Sequence, residues 1–321
     1  MRRSQQQKQQ QKQQTPHSPA PDGRKDIPPP EYDAAPPGPL PGAAAQASAS
    51  TSSPTTTHDW QTAVPDTSLF PAPPTYFGAH ERSPTSNADA ADAEAGDDWC
   101  ARYPLAEPLS MAVAKRTKDV QLLVPFEFHG TIRRLAGGLC RVTTVVDSPD
   151  RCIVGYPPLY LARKRQEEGG KSTMTTIYYE ARLLPGSRNN SLALGFTALP
   201  YPSFRMPGWH RGSLAVHGDD GRRYINDSYG GKDFTSAFRR GRTYGIGMRI
   251  DHVDPGASSV FFTCDGSLVG GWDLFEETDA VDDDSVVGLG GDHDVCAAVG
   301  TFDGLDFEVV LDEERWLYRM E

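Results

Sequence analysis

From about residue 100 onward the chain runs in short apolar stretches broken by turn chemistry, and little in it repeats at helical spacing. Thr176 to Leu184, Leu192 to Thr197 and Gly212 to His217 each read as a β-strand. Thr243 to Ile250 alternates: Tyr244, Ile246, Met248 and Ile250 share one face, while Gly245 and Gly247 on the other permit close backbone approach. Ser259 to Cys264 and Ser267 to Val269 flank Asp265-Gly266, a dipeptide that supplies the positive φ of a tight type I′ turn. Asp220-Gly221 gives a second, similar signal. Val295 to Phe302 and Phe307 to Leu311 complete the set, and Asp279 to Asp284 reads as an acidic surface loop. Short strands with frequent turns predict an all-β antiparallel sandwich over any βαβ arrangement.

Composition divides the chain. Residues 1–98 hold more than half of its 27 prolines, a glutamine run from Gln5 to Gln14 and only Tyr32, Trp60, Phe70, Tyr76 and Phe77 as aromatics. Such a segment buries too little apolar surface to offset an ordering entropy of roughly 1–2 kcal/mol per backbone residue. It reads as a disordered tail. Residues 99–321, with Trp209, Trp272, Trp316 and many branched aliphatics, are enough for one core.

The net charge of −11 argues against a nucleic-acid partner, which needs clustered Lys and Arg undiluted by carboxylates. Arg163-Lys164-Arg165 is the one basic triplet, followed at once by Glu167-Glu168, and reads as a solvated loop edge. The 5 cysteines are odd in number, widely spaced and free of any C-x-x-C pair, which fits a reducing compartment and indicates neither a disulfide framework nor a zinc site. No stretch approaches the ~20 apolar residues of a membrane helix, and the N-terminus lacks a signal-peptide apolar region. A soluble protein is expected.

Several motifs are specific enough to compare with a family. Ile177 to Leu183, reading Ile-Tyr-Tyr-Glu-Ala-Arg-Leu, resembles the opening strand of SPRY domains. Leu199 to His210, ending Met-Pro-Gly-Trp-His, and Ser213 to Tyr224, containing His-Gly-Asp-Asp-Gly, resemble the Gly-Trp to His-x-Asp-Gly block of that family. Gly245 to Met248, Val260 to Gly266 and Ala298 to Gly300 fall where its later signatures fall, so the resemblance covers roughly residues 175–311. It implies a SPRY-type β-sandwich with no catalysis and no cofactor, binding protein partners through loops at one end. The Pro-Tyr-Pro-Ser-Phe-Arg-Met-Pro-Gly-Trp run, residues 200–209, resembles a fungal branch of endosomal and vacuolar adaptors for a HECT-type ubiquitin ligase carrying WW domains. Two departures are visible: those adaptors commonly carry an N-terminal membrane helix, and Phe307 to Asp312 stands where many SPRY domains end in Asn-Phe-Gly.

The tail contains Pro29-Pro30-Glu31-Tyr32 and Pro73-Pro74-Thr75-Tyr76, both of the PPxY pattern read by WW domains. Paired prolines hold a polyproline II segment at little entropic cost, and the tyrosine fills a neighbouring pocket. Pro29, Pro30, Tyr32, Pro73, Pro74 and Tyr76 are therefore the expected WW-binding residues. A third match, Pro157-Pro158-Leu159-Tyr160, is expected to be packed into the fold instead. His217 with Asp219 and Asp220, Asp251-His252 with Asp254, and Asp292-His293-Asp294 place imidazoles beside carboxylates. Each sits in a predicted turn, where such residues are common for local reasons, so no catalytic or metal site is expected. Trp209 and His210 are expected to pack within the core. The implied role is an adaptor that brings ligase to protein cargo on the cytosolic face of endosomes or vacuole. The other reading is a SPRY scaffold unrelated to ubiquitin, its tail a spacer.

Overall fold

The computed structural model describes residues 89–110, 119–136, 138–163, 173–228, 230–276 and 286–320. The tail motifs and Asp279 to Asp284 lie outside them. Strands numbered in chain order form two sheets. One runs β1 (Gln121–Leu123), β4 (Arg151–Tyr156), β12 (Val295–Thr301), β6 (Leu192–Ala198), β7 (Ser213–His217), β8 (Arg223–Ile225). The other runs β11 (Ser267–Asp273), β10 (Ser259–Cys264), β9 (Thr243–Asp251), β5 (Met174–Leu183), β13 (Asp306–Val310), β3 (Leu139–Thr144), β2 (Gly130–Arg134). Every ladder is antiparallel, and the sheets face each other as a sandwich.

Alternation along the strands decides what each face does. Leu194, Phe196, Leu214 and Val299 of the first sheet meet Ile177, Ile246, Met248, Phe262 and Phe307 of the second in one buried core. Tyr179 pins the two sheets together. Its ring lies in this core, while its hydroxyl donates to the carbonyls of Gly195 or Ala298 at 3.0 and 2.8 Å and accepts from Gly195 N at 2.9 Å. The neighbouring side chains of β5 point the other way. Tyr178 lies against Gly245 and Phe261 against Gly247, where a Cβ on either glycine would overlap the ring. Those glycines create a shallow trough on the outer face. The C-terminal segment fills it: Trp316 meets Tyr178 edge-on at 4.9 Å, and the buried Glu180 carboxylate accepts from Leu317 N and Tyr318 N at 3.0 and 2.9 Å.

Asp265 and Gly266, with φ of 48° and 76°, make the expected type I′ turn between Cys264 and Ser267. Asp220-Gly221 does not. Only Gly221 has positive φ, at 75°, within a longer connection from His217 to Arg223, and the Asp220 carboxylate accepts from Arg222 N at 2.8 Å. Four strands also precede those read from the sequence. β4 is inserted between β1 and β12, and β3 between β13 and β2. β4 is buried along nearly its whole length and therefore shows no alternation, whereas β2 and β3 carry exposed Arg133, Arg134 and Arg141.

The domain boundary drawn at residue 98 falls inside helix α1 (Ala90–Arg102). Asp89 caps it by accepting from Ala91 N at 3.0 Å, and Asp92 and Arg102 suit the helix dipole at its two ends. Ala93, Gly96 and Cys100, spaced to share one face, are its buried side. Small residues make that face inconspicuous in sequence. They let the helix approach the protein closely.

Candidate protein-interaction surface

The connection from Leu199 to Gly212 folds back over the outer face of the first sheet, so Met206 and Trp209 cover Ala193, Ala215 and Tyr224. Gly208 takes φ 92° where a side chain would strike Tyr224 and Ala215. Arg205 is buried beneath this connection, its guanidinium 4.4 Å from the Trp209 ring centre. Its Nε donates to Nε2 of His210 at 2.9 Å, which leaves the imidazole proton on Nδ1, facing Asp97 Oδ1 of α1 at 2.9 Å. Burial holds the His210 pKa below its ordinary value, the Arg205 charge lowers it further, and Asp97 partly opposes both. Trp209 and His210 thus fasten a connection and a helix to the sheet, as their expected packing role requires.

The other imidazoles serve local structure, and among the singled-out groups His293 Nδ1 lies 2.8 Å from the carboxylate of its chain neighbour Asp292. His217 is buried, its Nε2 donating to Pro207 O at 2.9 Å and its ring 4.1 Å from that of Tyr224; burial holds its pKa down. His252 bonds to Thr175 Oγ1 at 2.8 Å and stacks on Tyr160. Asp251 accepts from Val253 N and Asp254 N, and Asp294 from Ala162 N and Leu109 N. These carboxylates serve turns and strapping segments. Among the described residues no group of three or more His, Cys, Asp and Glu side chains converges as for a metal ion.

Pro157-Pro158-Leu159-Tyr160 is built into the fold. Tyr160 exchanges backbone hydrogen bonds with Val295 at 3.1 and 3.0 Å, donates its hydroxyl to Gly291 O at 2.9 Å, and is only 2% exposed. A WW groove requires the tyrosine and both prolines on an open strand, which this packing forbids. The tail residues Pro29, Pro30, Tyr32, Pro73, Pro74 and Tyr76 lie outside the described residues.

One end of the sandwich, where β5, β7, β10 and β12 terminate, presents open surface of two kinds. Phe126, at 78% exposure, and Val145 and Val146 are exposed apolar residues on the connections before β2 and after β3. Val146 and Arg188 both border Gly304. Beyond Arg188 the surface turns basic: Arg240 donates to Ser187 O at 3.0 Å, and Arg239, Arg240 and Arg242 are all exposed. Arg239 and Arg242 flank a cleft of about 260 Å³ walled by Thr235, Ala237, Cys264 and Val269. The backbone holding the basic run is fixed by Phe238, which stacks on Tyr244 at 4.0 Å, and by the Tyr244 hydroxyl, which accepts from Arg239 N at 2.6 Å.

No protein-family model matches the chain. It is 34% identical over 89 residues to a SPRY domain-containing protein of Schizosaccharomyces pombe, covering 28% of this chain and 22% of that protein. It is 31% identical over 98 residues to SPRY domain-containing protein 3 of Pongo abelii, covering 30% and 22%. The chain is similar to SPRY-domain proteins. It is also 33% identical over 89 residues to Protein ssh4 of Sclerotinia sclerotiorum, covering 28% of this chain and 16% of that protein. A crystal structure of a human SPRY domain aligns at a TM-score of 0.38 and 21% identity, over 56% of this chain and 94% of that one. The matched stretches span 16–22% of these curated relatives' length. SPRY-named relatives thus support the resemblance read from the motifs.

The basic run was not singled out in the sequence because Gly241 interrupts it and its arginines are scattered among the chain's 32 Lys and Arg. Its signal was present as Arg239-Arg240-Gly241-Arg242. What gives that run a shape is the fold, which sets it against β10 and β11.

Proposed function

We propose that this chain is a non-catalytic adaptor. Its PPxY motifs at Pro29, Pro30 and Tyr32 and at Pro73, Pro74 and Tyr76 recruit a WW-domain HECT-type ubiquitin ligase, while loops of the SPRY-like sandwich hold protein cargo. Proximity then raises the effective concentration of ligase near cargo lysines, promoting ubiquitination and endosomal sorting with no chemistry required of the adaptor. This places it on the cytosolic face, peripheral to endosome or vacuole. Among the described residues no helix is long and apolar enough to cross a membrane. The observation that carries the reading is the pairing of two PPxY motifs in the Pro-rich first 98 residues with a sandwich similar to SPRY-domain proteins. The resemblance of residues 200–209 to fungal ligase adaptors adds to it.

The test is titration of Tyr32→Ala, Tyr76→Ala and the double variant against tandem WW domains. Each motif alone is expected to bind in the micromolar range, near −8 kcal/mol, and two on one tail to gain avidity of order 10²–10⁴. Single variants weaken capture and the double variant abolishes it. Undiminished capture by the double variant would refute the adaptor mechanism.

A further inference from the structure

The cleft between the 235–242 connection and the β10–β11 hairpin is a cationic site in a chain of net charge −11. Its charges are not equally available. Arg242 pairs with Asp265 at 3.0 Å and Arg188 with Asp303 at 3.5 Å, but among the described residues neither Arg239 nor Arg240 pairs with a carboxylate. Both are exposed on a backbone held by the Phe238 and Tyr244 contacts, but only Arg239 lines the cleft, since the Arg240 guanidinium turns to Ser187 O. The cleft wall beneath Arg239 is mixed: Ala237 and Val269 are apolar, Thr235 and Ser236 polar. β11 is the outermost strand of its sheet, and Leu268 and Val269 on it are 58% and 45% exposed. An extended chain lying along this edge would meet arginine on one side and aliphatic surface on the other.

We propose that this cleft docks an acidic segment of a partner protein, a carboxylate on Arg239 and an aliphatic side chain against Val269. The proposal rests on reading the sandwich as a protein-binding module and names the chemistry of what it takes. Arginine forks match carboxylates bidentately, which favours short Asp- or Glu-rich stretches over diffuse negative charge. The apolar wall selects among such stretches for one with a leucine-sized residue at the centre.

The experiment uses the full chain and a fluorescent 12-residue probe of alternating Asp and Glu with one central Leu, alongside its Asn/Gln counterpart. Wild type is expected to bind the acidic probe at least tenfold more tightly than the neutral one, with affinity falling as salt rises. Arg239→Glu is expected to lose at least tenfold in affinity with an unchanged melting temperature, since its side chain is exposed. Val269→Asp should weaken binding as well. Tyr32→Ala/Tyr76→Ala should bind the probe normally, and Arg239→Glu should still capture WW domains, so failure here is separable from failure of the ligase reading. Equal binding of both probes, no binding by wild type, or indifference to the arginine reversal would overturn the proposal. So would a single-stranded oligonucleotide binding more tightly than the acidic probe.

Discussion

Gly96 of helix α1 lies directly over the imidazole of His210, so close that a Cβ there would overlap the ring. The ring cannot yield easily, because Arg205 holds one nitrogen and Asp97 of the same helix faces the other. Gly96→Ala sets a gain in helix propensity of about 1 kcal/mol against overpacking that typically costs 1–3 kcal/mol. We expect overpacking to win. Hydrogen exchange should quicken across 90–102 and the unfolding midpoint should fall; a more stable variant would show that α1 is not seated on His210.

The two buried histidines make stability depend on pH. Burial lowers the folded-state pKa of both His210 and His217, so below the ordinary value of about 6.5 the unfolded chain binds protons that the folded chain does not. Stability from these groups therefore declines as pH drops through that value. Asp150 acts in the opposite sense, because burial pushes its carboxyl up to about 7 while Arg205 pulls it down. Its contribution is greatest at low pH and is lost as pH rises through 7. In an Asp150→Asn background, denaturant midpoints taken from pH 7.5 to 5 should fall steadily, and adding His217→Gln should shallow the slope. A flat profile would contradict the neutral, buried state of both rings.

Glu180 should be worth several hydrogen bonds at once. Its carboxylate accepts from Leu317 N, Tyr318 N and the Tyr178 hydroxyl, so Glu180→Ala strands two backbone donors of the C-terminal segment, while the Tyr178 hydroxyl keeps Thr263 Oγ1 as a partner at 2.7 Å. A loss of about 2–4 kcal/mol is expected. Removing residues 312–321 should erase most of that difference, since the donors leave with the segment and the site opens to water. Equal losses in the two backgrounds would mean that Glu180 acts elsewhere.

Tyr160 separates a packed PPxY from a ligand. Tyr160→Phe removes the hydroxyl bond to Gly291 O and should cost about 1 kcal/mol, and Tyr160→Ala about 3–5 kcal/mol by analogy with other buried aromatics. Neither should alter WW capture under conditions where the domain stays folded. Thermal melts run beside the binding titration decide it; a specific binding defect with an unchanged melt would place Tyr160 in a ligand.

By itself the sequence determined the strands whose two faces differ. Along β9 the alternation of Tyr244, Ile246, Met248 and Ile250 with Gly245 and Gly247 marked a core face and a face of close approach, and both exist. The Asp265-Gly266 turn was equally legible, because positive φ at both positions is a local demand that those residues satisfy at little cost. Period-two patterning and turn chemistry act within a few residues, so they survive reading one residue at a time.

Only the tertiary structure decided where the remaining elements go. β4 is buried on both faces and shows no alternation, and α1 joins through Ala93, Gly96 and Cys100, whose small side chains carry little hydrophobic signal. Tyr178, Tyr179 and Glu180 look alike as a motif. The fold sends Tyr179 to the opposite sheet, Tyr178 under the C-terminal segment and Glu180 to that segment's backbone amides. The basic run at 239–242 acquires a cleft only because β10 and β11 stand beside it. Such contacts join residues far apart in the chain, and their energies come from shape and desolvation at a shared surface, which local patterning does not encode.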